Sequence, residues 1–232
     1  MAHQNGAAQE HAGPELHLYL NRDLYTSEVT HRIANSLCLL ASTVSLRARH
    51  LTKQPRLMSS HEVAQLLDEI SARIVAVGQL HREIATQPGA AHLDLNEHLR
   101  NLCESIIAAV AQPGQFELLP SAEGVCAVKT DKILPICMIV AEAVTNSLKY
   151  AHPTGVRGTL EIGCRRDADG SAVIEVADDG VGLPEDFDPL ADGGLGSRTM
   201  DILARQLDAE ISFIARPTGL CFRLRLPASM VL

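Results

Sequence analysis

Apolar residues recur along the first third of the chain at helical spacing. Val29, Ile33, Leu37, Leu40 and Val44 follow one another at steps of three and four, within a stretch (about 21–50) free of Pro and Gly. This period predicts an amphipathic helix with a coiled-coil-like seam. Residues 52–55 end it with a proline. A second stripe, Val63, Leu66/Leu67, Ile70, Ile74, Val77, Leu80 and Ile84, predicts another helix that Ser60 can cap and that stops before Gln87-Pro88-Gly89. Two such helices form a helical hairpin. One hairpin leaves part of its seam uncovered, so a four-helix bundle with a second copy, a homodimer, is expected.

Beyond a linker at 88–92 the period changes. Residues 95–111 read as a helix, 116–119 and 125–128 as short strands, and 131–150 as a strongly apolar helix. Strands at 159–166 and 172–177 flank the turn Asp167-Ala168-Asp169-Gly170. A Gly- and Asp-rich loop at 180–196 precedes a helix at 195–207 and a hairpin of 210–216 with 220–226. Helices alternating with mostly antiparallel strands imply an α+β fold. The expected organisation is a disordered tail at 1–20, a helical hairpin at 21–87 and an α/β sandwich at 93–232.

Composition narrows the function. With 46% hydrophobic residues, 3% aromatics and no Trp, the core must be aliphatic. A net charge of -8 speaks against a nucleic-acid partner. It leaves nucleotides open, because helix N-termini, single lysines and metal ions can hold them. The six Cys form no C-x-x-C pair and sit mostly in apolar runs, so reduced core thiols are expected. No apolar run approaches the ~20 residues of a membrane span, and residues 1–14 lack the apolar core of a signal peptide. A cytoplasmic protein without direct membrane insertion is expected.

Two constellations carry chemistry. His31 lies two positions from both Val29 and Ile33, about 200° around the helix from each, on the face away from the seam. Glu28 and Asn35 share that face. Such an imidazole is an ordinary surface residue or a phosphoryl acceptor whose other ring nitrogen a neighbouring carboxylate or amide holds in one tautomer. His50, His61, His92 and His98 read as surface residues, and His81 as structural.

The second constellation lies in separated pieces. Glu142, Asn146 and Lys149 stand at i, i+4 and i+7 on one face of an otherwise apolar helix. Either they form a solvated edge or they act together. In the second case Asn146 gives an oxygen to Mg²⁺, Lys149 pairs with phosphate, and Glu142 orients or deprotonates a nucleophile. Asp178-Asp179-Gly180-Val181-Gly182 ends a strand, where a carboxylate can accept from an exocyclic amine and glycines let a flat ring approach. Gly193-Gly194-Leu195-Gly196-Ser197-Arg198 opens a helix whose free N–H groups suit an anion.

The order Glu-x-x-x-Asn-x-x-Lys, then Asp-x-Gly-x-Gly, then Gly-x-Gly before a helix resembles the ATPase domain shared by histidine kinases, gyrase, heat-shock chaperones of the ninety-kilodalton class and mismatch-repair ATPases. The stretch Thr30-His31-Arg32-Ile33-Ala34-Asn35-Ser36-Leu37, then Ser45-Leu46-Arg47-Ala48-Arg49, resembles the histidine kinase branch with a His-Arg-x-x-Asn motif. That branch is related to the subgroup named for its His, Trp and Glu residues. Arg73-Ile74, Ala76-Val77 and Leu80-His81 fit its second helix, and Gly182-Leu183-Pro184 through Pro189 its lid. The chain departs from the branch at Ala34, at Ser36 and at Leu220, where Lys, Asn and Thr are usual.

The resemblance covers about residues 22–227. It implies phosphorylation of His31, with Asn35 and Glu142 as catalytic partners, and Mg²⁺ on Asn146. It places adenine on Asp178, and Lys149, Gly182, Gly194 and Gly196 along the phosphates, with Tyr150, Gly180 and Leu195 completing an ATP pocket. The expected activity is autophosphorylation from ATP, followed by transfer to an aspartate of a response-regulator receiver domain. The alternative is an ATP-independent phosphotransferase of the same fold, which would have no need of Asn146, Asp178 and the three glycines. An ATP-binding module that phosphorylates serine or only switches shape would leave His31 unexplained. With about 20 residues before the first helix, either the input comes from a separate sensor protein in trans or the chain is the core of a longer kinase.

Overall fold

The computed structural model describes residues 57–86, 92–120, 126–152 and 156–232. Nearer the N-terminus it describes positions 34, 36–38, 40–42, 44, 45, 48, 49, 51 and 52, all of them helical. The expected tail, the linker at 88–91, His31 and Asn35 lie outside the described residues.

Helix α1 (Ser60–Thr86) follows the second apolar stripe. Its cap is Ser59 rather than Ser60. The Glu62 N–H donates to Ser59 Oγ at 3.2 Å, and the Ser59 N–H donates back to the Glu62 carboxylate at 2.8 Å. This reciprocal Ser-x-x-Glu box satisfies two N–H groups that Ser60 could not reach together. Strand β1 (His92–Asp94), which the sequence pattern did not foresee, leads directly into α2 (Leu95–Val110), where Asp94 caps by accepting from the Asn96 N–H at 3.1 Å. Then come β2 (Phe116–Pro120), β3 (Ala127–Lys129), a short turn of 3-10 helix and α3 (Ile133–Tyr150). The chain continues with β4 (Gly158–Arg166), β5 (Ala172–Asp178), α4 (Leu195–Gln206), β6 (Glu210–Ala215) and β7 (Leu220–Leu226).

The main sheet has the order β2-β4-β5-β7-β6, with β2 and β4 parallel and the other pairs antiparallel. β1 and β3 form a separate two-stranded ribbon. Alternation sorts the two faces of the sheet. Leu160, Ile162 and Cys164 of β4, Ile174 and Val176 of β5, and Phe222, Leu224 and Leu226 of β7 join the core beneath the helices. The other face carries charges: Arg223 stands opposite Glu175 and bonds to it at 2.7 Å, and Arg225 reaches Asp167 at 3.0 Å. This polar-out register is what an antiparallel sheet covered on one side requires.

Helix α3 is the central element, with Ile136, Ile139, Val140 and Val144 wholly buried. Thr130–Tyr150 is apolar and long enough to pass for a membrane span, yet 67% of it is buried in the fold, as befits a core helix. Helix α1 packs on both α2 and α3, and its Ala72, Ala76, Val77 and Leu80 enter the same core cluster as the sandwich. Its opposite side leaves Val63, Leu67 and Ile74 exposed.

The cysteines correct the expectation of six reduced thiols. Cys126 and Cys164 are joined in a disulfide, with Cα atoms 6.1 Å apart, while Cys103, Cys137 and Cys221 are buried thiols and Cys38 is exposed. The β1–α2 corner holds both bridge residues by their backbones. Asp94 accepts from the Cys126 N–H, and the Asn96 side-chain amide bonds both the N–H and the C=O of Cys164. His98 is corrected too. It is buried on the apolar side of α2, three residues from Leu95, with Nε2 2.9 Å from Cys137 Sγ.

Ile139→Ala removes a fully buried side chain at the centre of α3 and is expected to cost ~2–5 kcal/mol. The measurement is the urea midpoint, which should fall with its slope unchanged.

Candidate functional site

A cavity of about 480 Å³ opens between α3, the loop after β5, the start of α4 and the β6–β7 hairpin. It gathers residues far apart in sequence. Glu142, Asn146, Ser147 and Tyr150 come from α3, Asp178 from the end of β5, and Gly182 with Leu183 and Phe187 from the loop. Gly194, Gly196 and Ser197 come from the start of α4, and Leu220 and Phe222 from β7.

Asp178 forms the closed end of the cavity. It is buried, and its carboxylate accepts from Ser147 Oγ at 2.9 Å and from the backbone N–H groups of Gly180 and Leu220 at 3.1 and 3.2 Å. Three donors fix one rotamer of the carboxylate. Gly219 makes the Leu220 contact possible. Its φ is +82°, and a Cβ there would lie 1.9 Å from the Asp178 carbonyl oxygen. Where the branch usually has Thr, Leu220 contributes its backbone N–H and an apolar wall.

The other end is rich in donors. Helix α4 begins at Leu195 with Gly194 as N-cap and no side-chain cap, so its first N–H groups are open to an anion. This turn lies close to Glu142: a Cβ on Gly196 would be 2.4 Å from Glu142 Oε2. The side chain of Leu195 lies outside the described residues. Glu142 and Asn146, one turn apart on the same wall, offer a carboxylate and an amide oxygen, a hard-donor set that fits Mg²⁺.

Charge at one edge of this wall is handled by α1, whose Glu69 also lines the cavity. Arg73 Nε donates to Glu142 Oε1 at 2.5 Å, with the two residues 1% and 3% exposed. Burial pushes the Glu142 carboxyl above the usual range, and the charge and hydrogen bond of Arg73 pull against that rise. Lys149 is not in the cavity wall. Its ammonium donates to the Gln65 carbonyl at 2.7 Å and to Glu69 Oε1 at 3.0 Å. Gly180 also stays out of the wall and serves by donating to Asp178.

The structure brings Glu142, Asn146, Tyr150, Asp178, Gly182, Gly194 and Gly196, all singled out from the sequence, around one cavity. Sequence reasoning gave no task to Ser147, which the structure places on Asp178. It also assigned no task to Arg73. The available signal was a cation inside the second apolar stripe, three residues after Ile70 and four before Val77.

Removing one partner of the Arg73–Glu142 pair leaves a buried charge unpaired. Arg73→Met is expected to cost ~3–5 kcal/mol, and the double change Arg73→Met with Glu142→Leu to recover most of that. Denaturant unfolding of the single and double variants checks it.

Comparison with known proteins agrees with this geometry. Residues 28–110 match the family described as histidine kinase. Residues 131–230 match the family described as histidine kinase-, DNA gyrase B- and HSP90-like ATPase. The chain is 28% identical over 220 residues to blue-light-activated histidine kinase 2 of Erythrobacter litoralis, covering 93% of this chain and 60% of that protein. It is 25% identical over 213 residues to the sensor histidine kinase PdtaS of Mycobacterium tuberculosis, covering 90% of this chain and 40% of that protein. The solved structure of the Erythrobacter litoralis EL346 blue-light activated histidine kinase superposes with a TM-score of 0.67 at 27% identity, over 95% of this chain and 62% of that one. The chain thus spans well under two thirds of the length of these curated relatives. Two consecutive matches, the first running through α1 and α2 and the second through the residues of the cavity, establish that the chain belongs to the histidine kinases, in the branch related to the HWE type, and carries the ATPase domain that they share with gyrase and HSP90.

Proposed function

We propose that this chain is the core of a cytoplasmic, homodimeric sensor histidine kinase that transfers the γ-phosphoryl group of ATP to His31 and then to an aspartate of a response-regulator receiver domain. The observation that carries the reading is the single cavity in which Asp178, Asn146, Glu142 and the glycines of two loops converge.

Asp178, held by Ser147, Gly180 and Leu220, presents a fixed carboxylate to the exocyclic amine of adenine. Gly182 leaves room for the ring. The open N–H groups around Gly194 and Gly196 take phosphate oxygens. Asn146 would hold Mg²⁺, whose charge would offset that of the phosphates. Lys149 is the cation for the phosphate end. His31 attacks through one ring nitrogen: the nitrogen–phosphorus bond forms as the γ-phosphorus–oxygen bond breaks, and ADP leaves. Asn35, one helical turn beyond His31, helps hold the ring. Glu142 accepts the hydrogen bond, and finally the proton, of the other ring nitrogen, a task helped by the upward push of burial on its carboxyl.

The dimer reading draws on exposed apolar residues of both hairpin helices: Leu37 and Val44 on the first, Val63, Leu67 and Ile74 on α1. A four-helix bundle would cover them.

Incubation with γ-labelled ATP and Mg²⁺ should give acid-labile, base-stable label on the wild type and none on His31→Ala or Asn146→Ala. Label that persists in His31→Ala would overturn the acceptor assignment. Light scattering should give twice the monomer mass, falling to one monomer mass for Leu67→Glu with Ile74→Glu.

A further inference from the structure

Two ion pairs of opposite polarity cross the α1–α3 interface. Glu69 of α1 meets Lys149 of α3 at 3.0 Å, and Arg73 of α1 meets Glu142 of α3 at 2.5 Å. Both pairs are largely shielded from water: side-chain exposure is 15% and 6% in the first, 1% and 4% in the second. The α3 members of both pairs are charged residues that the proposed kinase reaction needs at the phosphate end of the cavity. Bound in this way, Lys149 has its ammonium on the Gln65 carbonyl and on Glu69. An ATP phosphate would have to displace both.

The α1 members are spaced for an alternative. Glu69 and Arg73 stand at i and i+4, with the acid N-terminal to the base, the favourable order for pairing along one helix. Separation of α1 from α3 therefore leaves no charge stranded: Glu69 can turn to Arg73, Lys149 to phosphate, and Glu142 to the metal or to the histidine. One arrangement pairs Glu69 with Lys149 and Arg73 with Glu142; the other pairs Glu69 with Arg73 and turns Lys149 and Glu142 to the nucleotide, so a ligand can bias the interface between two states.

We propose that α1, the second helix of the phosphotransfer hairpin, is an electrostatic latch that competes with ATP for Lys149 and Glu142, so that nucleotide binding and release of the hairpin from the ATPase domain are coupled. This rests on the reading of the cavity as an ATP site and names how that site is regulated. The latch holds the site in a resting form. Any input that draws α1 away from α3 raises affinity for the nucleotide, and by reciprocity bound nucleotide loosens α1.

The test uses the full chain and the Mg²⁺ complex of AMP-PNP, which gives no phosphoryl transfer. Calorimetry compares wild type, Glu69→Gln and Asp68→Asn, the last a neutralisation of the same size one residue away. Glu69→Gln keeps the side-chain shape, frees Lys149 and is expected to tighten binding about five- to tenfold, the gain from undoing a latch closed in some 80–90% of molecules. Asp68→Asn is expected to bind as the wild type does. Amide exchange in Ser60–Thr86 of the wild type should speed up when AMP-PNP saturates the site. The latch is overturned if Glu69→Gln binds no tighter than wild type, if Asp68→Asn tightens binding equally, or if exchange in α1 does not rise with bound nucleotide. Absence of binding by every form would instead bring down the ATP reading, and the latch with it.

Discussion

The buried pair of Arg73 and Glu142 is the constraint on which the arrangement of this molecule depends. Glu142 sits on a helix otherwise filled with Ile, Val, Met and Ala, and a carboxylate there carries a large desolvation cost unless it is matched. The match comes from another part of the chain, 69 residues earlier. Helix α1 therefore cannot be an independent stalk in this state. Its Arg73 satisfies Glu142, and the small residues around it, Ala72 and Ala76, let it lie close on the core. The same contact orients the Glu142 carboxylate beside the start of α4.

From that constraint the two faces of α3 acquire different tasks. One side presents Asn146, Ser147 and Tyr150 to the cavity, while Lys149 is drawn to the side of α1. Below it, the sheet brings the end of β5 to the start of β7, and Gly219 lets the hairpin lie against the Asp178 backbone closely enough for Leu220 to bond the carboxylate. The end proposed for adenine is thus built on strands and a hairpin turn. The end proposed for the phosphates is built on a helix start without a side-chain cap and on side chains held by α1.

Much of this was legible in the sequence because it rests on local rules. The 3.6-residue stripes marked the helices, the turn Asp167-Ala168-Asp169-Gly170 marked β4 and β5, and glycines beside carboxylates marked the loops. The unread parts depend on tertiary partners. The sequence gives Arg73 a place on the second helix but no partner; packing brings Glu142 beside it. His98 reads as a surface histidine because nothing in the sequence gives it a partner, whereas in space it meets Cys137. The pairing of Cys126 with Cys164 depends on backbone bonds to Asp94 and Asn96, which no Cys spacing reveals. The direction of Lys149 was unread for the same reason: helical spacing gives the face, and only the packed partner says what that face meets.

The central claim, that the cavity selects an adenine nucleotide through the fixed Asp178 carboxylate, is tested most directly by equilibrium binding of Mg·ADP and Mg·GDP to the wild type and to Asp178→Asn. The account predicts that Mg·ADP binds, that Mg·GDP binds at least about a hundredfold more weakly because its ring offers an acceptor where the amine should be, and that Asp178→Asn loses most of the affinity for Mg·ADP while still folding. Equal binding of the two nucleotides, or undiminished Mg·ADP affinity in Asp178→Asn, would contradict it.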